Sequence, residues 1–304
     1  MTQADIHRLA SAPAVVGVDG SAAADIALDW AADLAGRRGR ELRIVHALDL
    51  DGLRRVSART GDRGLPMLAA VRSRGQALVA RAVQRVRATA PGVRVSTDVT
   101  DSGPAELLIR ASATAYIVAL GPTGTSTLPA HLGSILLTVA AHADGAVVVV
   151  RTDPNSEPAP RHYGPVVVGI DGSEVSEAAL GAAFEEASER GAELIAVHVW
   201  SDLDLGWMTD ASSHFVPVSD MGEAERAILA ERLAGRQEKY PDVKVTRRTY
   251  LSDPVTVLQH WSDSAQLLVV GSRGRGGYFG MLLGSNSNSL VQHANCPVMV
   301  VHPG

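Results

Sequence analysis

The chain has 304 residues, of which 46% are hydrophobic and 20% charged, so it is long enough for two globular domains of ordinary composition. Its net charge of −5 lacks the basic excess of a typical nucleic-acid surface, and its apolar runs fall far short of the roughly 20 residues that span a bilayer. The N-terminal segment also lacks the continuous apolar core of a signal peptide. We therefore predict a cytoplasmic protein with no nucleic-acid partner and no membrane span.

One sequence unit occurs twice along the chain. The segment VGVDGS at 16–21 returns as VGIDGS at 168–173, and His46 returns as His198, both at an offset of 152 residues. Further along, the offset drifts to 150 and 151, as expected of a tandem duplication followed by small deletions. The segment between the copies has three prolines and no apolar periodicity, which is typical of an exposed linker. We predict a first domain at 1–151, a linker at 152–163 and a second domain at 164–304.

In the first copy, short apolar runs alternate with longer amphipathic ones. The predicted strands are 14–18, 42–48, 93–99, 115–120 and 146–151. The predicted helices are 22–36, 65–90, 104–113 and 134–142. The connection at 49–64 carries Asp49 and Asp51 and has little regular pattern, so it is interpreted as either a functional lid or a surface loop.

The second copy repeats this order. Its predicted strands lie near 165–170, 194–200, 243–250, 266–271 and 297–302. Its predicted helices lie near 175–190, 219–239, 254–262 and 285–294. A second long connection, at 201–217, holds Trp207 and His214. Five strands alternating with four helices predict an α/β fold in which each copy is a Rossmann-like domain, an open parallel sheet with helices on its two faces.

A glycine-rich segment follows the fourth strand of the second copy. Gly271 is followed after two residues by Gly274 and after nine more by the pair Gly284-Ser285. Glycines let successive backbone N–H groups converge on one anion, and the next helix offers unpaired N–H groups at its positive end. The Ser285 hydroxyl can cap that helix or donate to a phosphate oxygen, and Arg273 can clamp a phosphate. The segment predicts a phosphate site, the alternative being a flexible loop that only joins strand to helix.

Three features of the second copy converge at one edge of the predicted sheet. Ligands of an open parallel sheet bind beyond the carboxyl ends of the strands, where the winding direction reverses. Asp171 follows the first strand, Val199 ends the second, and the glycine segment follows the fourth. The Asp171 carboxylate can bind an adenine amino group or a ribose hydroxyl, and the Val199 backbone can bind an adenine edge. The alternative is that DGS at 171–173 serves only to cap the following helix.

With VGIDGS, AVHVW and the spaced glycines before Ser285, the chain resembles a tandem universal stress protein over nearly its full length. Members of that family have this five-stranded fold, many bind ATP, and many dimerise through their last strand. By this resemblance, Ile170, Asp171 and Val199 would hold the adenosine in the second copy. The residues that would surround the phosphates are Gly271, Arg273, Gly274, Gly284, Ser285, Asn286 and Ser287.

The first copy departs from this pattern. Its matching residues are Asp19, Ala47, Gly121, Gly124, Gly133 and Ser134. The spacing before Gly133 is one residue short, Pro122 has no N–H, and no arginine stands in the place of Arg273. Apolar residues at 135–137 replace the polar residues that follow Ser285. We therefore expect weaker nucleotide binding in the first copy than in the second.

The leading functional hypothesis is an ATP-binding regulator of stress response or growth, in which nucleotide occupancy changes loops or dimer contacts. The sequence has no GxxxxGK[ST] loop, no lysine near the glycines and no evident catalytic carboxylate beside them, which disfavours fast phosphoryl transfer. One alternative is a slow ATPase or other nucleotide hydrolase that uses Asp171 or a magnesium-bound water, with His214 or Asp210 supplied by the long connection. Another is a partner-binding module without nucleotide.

Other reactive side chains are interpreted as structural. His46 and His198 fall at interior strand positions, which favours hydrogen-bonded core imidazoles over bases or metal ligands. Cys296 is the single cysteine and is predicted to be a buried thiol. Because no cluster of histidines, cysteines or carboxylates predicts a metal site built by the protein, any Mg²⁺ is expected to arrive with the nucleotide phosphates.

Overall fold

The computed structural model describes residues 11–50, 65–124, 134–153, 159–200, 216–217, 233, 235–274 and 282–303. Within this part, the chain divides into two compact units that separate between Arg151 and Thr152. Several residues of the sequence-based predictions lie outside the described residues, namely Asp51, Gly133, Trp207, Asp210, His214 and most of the helix predicted at 219–239.

The first unit is an α/β domain with a parallel sheet. Its strands are β1 (Ala14–Gly17), β2 (Leu42–Ala47), β3 (Val95–Thr100), β4 (Ile117–Leu120) and β5 (Ala146–Val149). Its described helices are α1 (Ala22–Arg37), α2 (Leu65–Thr89), α3 (Pro104–Ser112) and α4 (Ser134–His142). The strand order is β3-β2-β1-β4-β5, and each neighbouring pair is parallel. The winding direction therefore reverses between β1 and β4, which is where such sheets bind ligands.

The second unit repeats this arrangement. Its strands are β6 (Val166–Ile170), β7 (Leu194–Trp200), β8 (Val216–Pro217), β9 (Val245–Leu251), β10 (Leu267–Gly271) and β11 (Val298–Val301). Its helices include α5 (Glu174–Arg190), α6 (Pro254–Ser262) and α7 (Ser285–His293), and residues 235–239 are also helical. The strand order is β11-β10-β6-β7-β9-β8, with parallel pairing from β11 to β9. The predicted α/β architecture is thus confirmed in both copies.

The short strand β8 corrects one prediction, because it lies in the connection that was expected to be irregular. Val216 and Pro217 pair antiparallel with Leu251 and Tyr250 of β9. A two-residue strand is too short to show a hydrophobic period in the sequence, and its position depends on the open edge of a neighbouring strand. Tertiary pairing alone could identify it.

The hydrophobic core follows from the aliphatic strands. β4, β10 and β11 are buried along their whole length, whereas β3 and β9 carry exposed residues at their centres. Continuous apolar strands of this kind are typical of parallel sheets with both faces covered. Cys296 is 1% exposed, which confirms the predicted buried thiol. In the described part of the chain, none of the helices combines the length and apolar character required to cross a membrane.

One residue of the predicted linker, Arg161, has contacts with the second unit. The Arg161 guanidinium donates to the carbonyl oxygens of Ser262, at 3.4 Å, and Ala265, at 3.3 Å, where α6 ends. It also lies 3.6 Å from the Asp153 carboxylate, and both side chains are largely covered. A helix C-terminus attracts a cation because its last carbonyl groups lack intrahelical partners. Arg161 therefore ties this segment to the second unit.

Candidate functional site

The strand order brings the predicted site residues of the second unit to one edge of its sheet. β6 lies between β10 and β7, and Val168 pairs in register with Val269 on one side and Ala196 on the other. Asp171 follows β6 directly, and Gly271 ends β10. Because parallel strands end at the same edge, these residues lie around one crevice, at the point where the winding direction reverses.

The Asp171 carboxylate joins the turn after β6 to the glycine loop. Its Oδ1 accepts hydrogen bonds from the Ser173 amide at 3.0 Å and the Ser173 hydroxyl at 2.7 Å. Its Oδ2 would lie 2.3 Å from a Cβ placed on Gly274, a distance at which one of the two groups must move. Gly274 is therefore required so that the loop can pass close to this carboxylate.

The serines of the two DGS segments, 19–21 and 171–173, cap the helices that follow them. Ser173 Oγ accepts from the Ser176 amide at 3.2 Å at the start of α5. Ser21 Oγ accepts from the Ala24 amide at 3.1 Å at the start of α1. Capping thus accounts for the serines and leaves the aspartates to orient the turns before them.

The two ends of the glycine loop are held together by main-chain hydrogen bonds. The Ser272 amide donates to the Val301 carbonyl at 2.8 Å, and the Gly284 amide donates to the Ser272 carbonyl at 2.8 Å. The Gly274 backbone nitrogen lies 3.8 Å from the position that a Cβ on Gly284 would take. The loop therefore returns to its own start, and the Gly274 amide lies beside the beginning of α7.

The N-terminus of α7 corrects the prediction that Ser285 can cap the helix. Gly284 is the N-cap residue, with no side-chain cap hydrogen bond, and Ser285 is already the first helical residue. The side chains of Ser285 and Asn286 are exposed. Since the first amides of a helix lack intrahelical acceptors and glycine supplies no side-chain oxygen, this helix end is suited to an external anion.

Ser287 has a structural contact that the sequence did not reveal. Its side chain is buried, and its hydroxyl donates to the Gly271 carbonyl at 2.6 Å. This hydrogen bond attaches the first turn of α7 to the end of β10. Arg273, in contrast, is exposed and has no ion-pair partner in the described part of the chain, so its guanidinium is available to a ligand.

The residues expected to hold an adenosine flank the crevice on the β6–β7 side. Ile170 is 5% exposed, and its carbonyl accepts a hydrogen bond from His198 Nδ1 at 2.7 Å. His46 makes the same contact with the Val18 carbonyl at 2.7 Å. The predicted hydrogen bonding of both imidazoles is confirmed. Val199 follows His198 on β7 and is half-buried.

The first unit forms the same turn with fewer groups that can bind phosphate. Asp19 Oδ1 accepts from the Ser21 amide at 2.9 Å, and a Cβ on Gly124 would lie 2.7 Å from Asp19 Oδ2. A Cβ on Gly121 would lie 2.7 Å from the Ala23 carbonyl carbon. The first unit thus brings together Asp19, Gly121 and Gly124. The second unit does the same with Asp171, Gly271 and Gly274. Ala47 ends β2 and Ser134 begins α4.

The residue that sequence reasoning missed is Ser272. It lies between Gly271 and Arg273, is fully buried, and its hydroxyl has no hydrogen-bond partner in the described part of the structure. Its place inside the glycine segment was visible in the sequence, but its burial was not, because a serine between glycines is ordinarily exposed.

Comparisons with known proteins agree with this architecture. The model of the universal stress protein family matches residues 12–151 and 162–302. The chain is 41% identical over 292 residues to "Universal stress protein Rv2005c" of Mycobacterium tuberculosis, covering 94% of this chain and 95% of that protein. It is 39% identical over 297 residues to a universal stress protein of Mycolicibacterium smegmatis, covering 95% and 96%.

A solved structure has the same fold. A universal stress protein from Archaeoglobus fulgidus aligns with a TM-score of 0.70 and 20% identity, covering 97% of this chain and 98% of that chain. The two family matches, one for each copy, confirm the tandem resemblance that the sequence motifs predicted. The chain belongs to the universal stress protein family.

Proposed function

We propose that this tandem universal stress protein binds an adenine nucleotide, ATP above all, in the crevice of its second domain. The observation that carries the proposal is the convergence of phosphate-binding groups at one place. The Gly274 amide lies beside the start of α7, Gly284 leaves that helix without a side-chain cap, and the exposed Arg273 precedes Gly274. Such an arrangement combines amide donors, a helix dipole and a guanidinium, all of which favour an anion.

The Cβ position of Gly284 lies close to the loop. A Cβ there would be 3.5 Å from Arg273 Cα and the Ser272 carbonyl oxygen and 3.8 Å from the Gly274 nitrogen, which are ordinary van der Waals distances. The other residues that we propose to contact the phosphates are Gly271, Ser285, Asn286 and Ser287. Ser287 would contribute through its main chain, because its hydroxyl is bonded to the Gly271 carbonyl. Ile170, Asp171 and Val199 would hold the nucleoside. Any Mg²⁺ would be bound through the phosphates.

We propose that nucleotide occupancy is a regulatory signal in stress response or growth and that chemistry is slow. The Asp171 carboxylate supports this reading, because one of its oxygens accepts two hydrogen bonds from Ser173 and the other faces Gly274. A carboxylate held in this way is poorly placed to activate a water molecule. Single-turnover assays with labelled ATP test the point: intact nucleotide after hours agrees with a regulator, and γ-phosphate release within minutes contradicts it.

The first domain is proposed to bind nucleotide more weakly. It keeps Asp19 and the glycines but has Pro122 and Thr123 where the second domain has Ser272 and Arg273. Its helix α4 begins at Ser134, and the following Ile135 is 42% exposed. Fewer donors therefore face a triphosphate there.

The decisive experiment is isothermal titration of the full chain with ATP, ADP, AMP and cyclic AMP. The key variant is Gly284→Ala, because its φ of −66° suits alanine and its Cβ has space within the protein. We expect unchanged thermal stability but at least about tenfold weaker ATP binding, since the methyl group would stand beside the Gly274 amide, where we propose that phosphate binds.

The matched control is Gly92→Ala, where a Cβ would meet nothing within 4 Å and which lies in the turn before β3. It should bind ATP as the wild type does. Absence of binding of all four nucleotides to the wild-type chain would exclude the proposed function. Dimerisation through the last strand, which the family resemblance implies, remains a prediction that light scattering with and without ATP can test.

A further inference from the structure

A buried hydroxyl without a hydrogen-bond partner lies inside the glycine loop. Ser272 is 0% exposed, and its Oγ has no acceptor or donor opposite it among the residues that the structure describes. An unsatisfied hydroxyl lowers the stability of a folded protein, and buried polar groups are nearly always paired. Among the described residues this oxygen is thus left for another partner, and a bound ligand is one that could supply it.

The main chain fixes the position of this hydroxyl. The Ser272 amide donates to the Val301 carbonyl and the Ser272 carbonyl accepts from the Gly284 amide, each at 2.8 Å. Both hydrogen bonds hold the residue between the end of β11 and the start of α7. The Oγ cannot move far, but its hydrogen is free to rotate about the Cβ–Oγ bond.

The side chain of Ser272 lies on the side of the sheet where α7 begins. A Cβ on Gly271 would meet Val175 of α5, 2.9 Å away, so that residue faces α5. The Ser272 amide continues the ladder to β11, and successive residues of a strand point to opposite faces. Ser272 therefore points away from α5, toward the face on which Gly284 and the first turn of α7 lie.

Ser287 provides a contrast within the same turn. Both serines are buried next to Gly271, yet the Ser287 hydroxyl donates to the Gly271 carbonyl at 2.6 Å whereas the Ser272 hydroxyl has no partner in the described structure. One hydroxyl thus stabilises the loop and the other does not. In the first domain, Pro122 stands in the place of Ser272 and supplies no hydroxyl.

We infer that the Ser272 hydroxyl is a specificity-determining group of the nucleotide site, one that turns its O–H dipole toward bound phosphate and thereby favours phosphorylated ligands over adenosine. This inference rests on the proposed function of the second domain. A hydroxyl that no protein group orients can point its hydrogen toward an anion, and the interaction is stronger in a buried, low-dielectric place than in water. Because the effect acts on charge, it grows from AMP to ATP.

The experiment compares Ser272→Ala with the wild-type full chain by isothermal titration with adenosine, AMP and ATP and by thermal unfolding without ligand. We expect about tenfold weaker ATP binding, the lower end of the range for one hydrogen bond to a charged group, with a smaller loss for AMP and no change for adenosine. Without ligand, the variant should unfold about 2 °C higher, because a buried unpaired hydroxyl has been removed.

Ser264→Ala, which removes an exposed hydroxyl bonded to the Trp261 carbonyl at the end of α6, is the matched control and should change neither measurement. Ser272→Cys retains a weaker donor and should give intermediate ATP binding. Equal weakening for all three ligands together with a lower melting temperature would show a structural role and overturn the inference, as would unchanged ATP affinity. If the wild type binds none of the ligands, the proposed function fails first.

Discussion

The two domains share one fold but differ in the loop that follows their fourth strand. In both, an aspartate after the first strand lies close to a loop glycine, with virtual Cβ distances of 2.7 Å for Gly124 and Asp19 and 2.3 Å for Gly274 and Asp171. This contact therefore belongs to the fold. Charge and donors distinguish the domains, since Arg273 and Ser272 have Thr123 and Pro122 as counterparts. The comparison shows that a duplicated scaffold can keep the shape of a loop while changing its charge and its hydrogen-bond donors.

The largest expected effect comes from removing Arg273, whose counterpart in the first loop is Thr123. Arg273→Gln should weaken ATP binding by about 10- to 100-fold, the range of a hydrogen bond to a charged group, and leave adenosine binding unchanged. Isothermal titration measures both. Arg247→Gln, on the exposed part of β9, is the control that should have no effect. Equal ATP affinity of Arg273→Gln and wild type would remove the distinction between the domains.

The reverse substitution should strengthen the first site. Thr123 is exposed, as Arg273 is, and its main-chain carbonyl, which accepts from Ser21 Oγ at 3.5 Å, does not depend on its side chain. In a chain that also carries Arg273→Gln, Thr123→Arg should tighten the remaining ATP binding by about fivefold. The gain should be smaller than the loss at the second site because Pro122 still lacks an N–H. A titration without any gain would mean that the first crevice excludes nucleotide for a steric reason.

A moderate effect on stability is expected from Ser287→Ala. The substitution leaves the buried Gly271 carbonyl without its hydrogen bond, which should lower the free energy of unfolding by about 1–2 kcal/mol. Urea unfolding monitored by circular dichroism measures the change. The first domain has Leu136 at the corresponding place, so its loop is held in another way. Ser289→Ala, two residues further along α7, serves as the comparison; a stability equal to wild type for both variants would contradict the assigned hydrogen bond.

The smallest effect concerns pH. A hydrogen bond from Thr246, opposed by partial burial and reinforced by Lys244 and Arg248, holds the pKa of Glu193 below its ordinary value. A carboxyl whose pKa is lower in the folded state stabilises the fold above its unfolded pKa, and this contribution is lost as pH falls through the folded value. Glu193→Gln should therefore slightly reduce the fall in the free energy of unfolding as the pH is lowered. Glu41 accepts a hydrogen bond from Ser96 at the corresponding place in the first unit, so Glu41→Gln is the comparison variant. An acid limb that Glu193→Gln leaves unchanged would contradict the role of Glu193.

Much of the fold could be predicted because the signals are local. Aliphatic runs such as β10, the two DGS turns and the offset of 152 residues between the copies all appear in a single reading of the chain. Long-range contacts decided what the sequence did not show. β8 depends on the edge of β9, and Arg161 binds to carbonyl groups at 262 and 265, about 100 residues further along. Ser285 was predicted either to cap α7 or to donate to a phosphate oxygen, and Gly284 takes the N-cap position.

The sequence by itself determined the repeat and the alternation of strands and helices, and it placed glycines and an aspartate after the strands of each copy. These follow from periodicity and from glycine spacing, which are properties of neighbours along the chain. Only the tertiary structure decided which hydroxyl groups in those loops form hydrogen bonds within the protein. Ser287 is bonded to Gly271, and Ser272 is buried without a partner in the described residues, because strand β10 and helix α7 meet there. Hydrogen-bond satisfaction depends on the packing of distant segments, and no pattern within the chain encodes it.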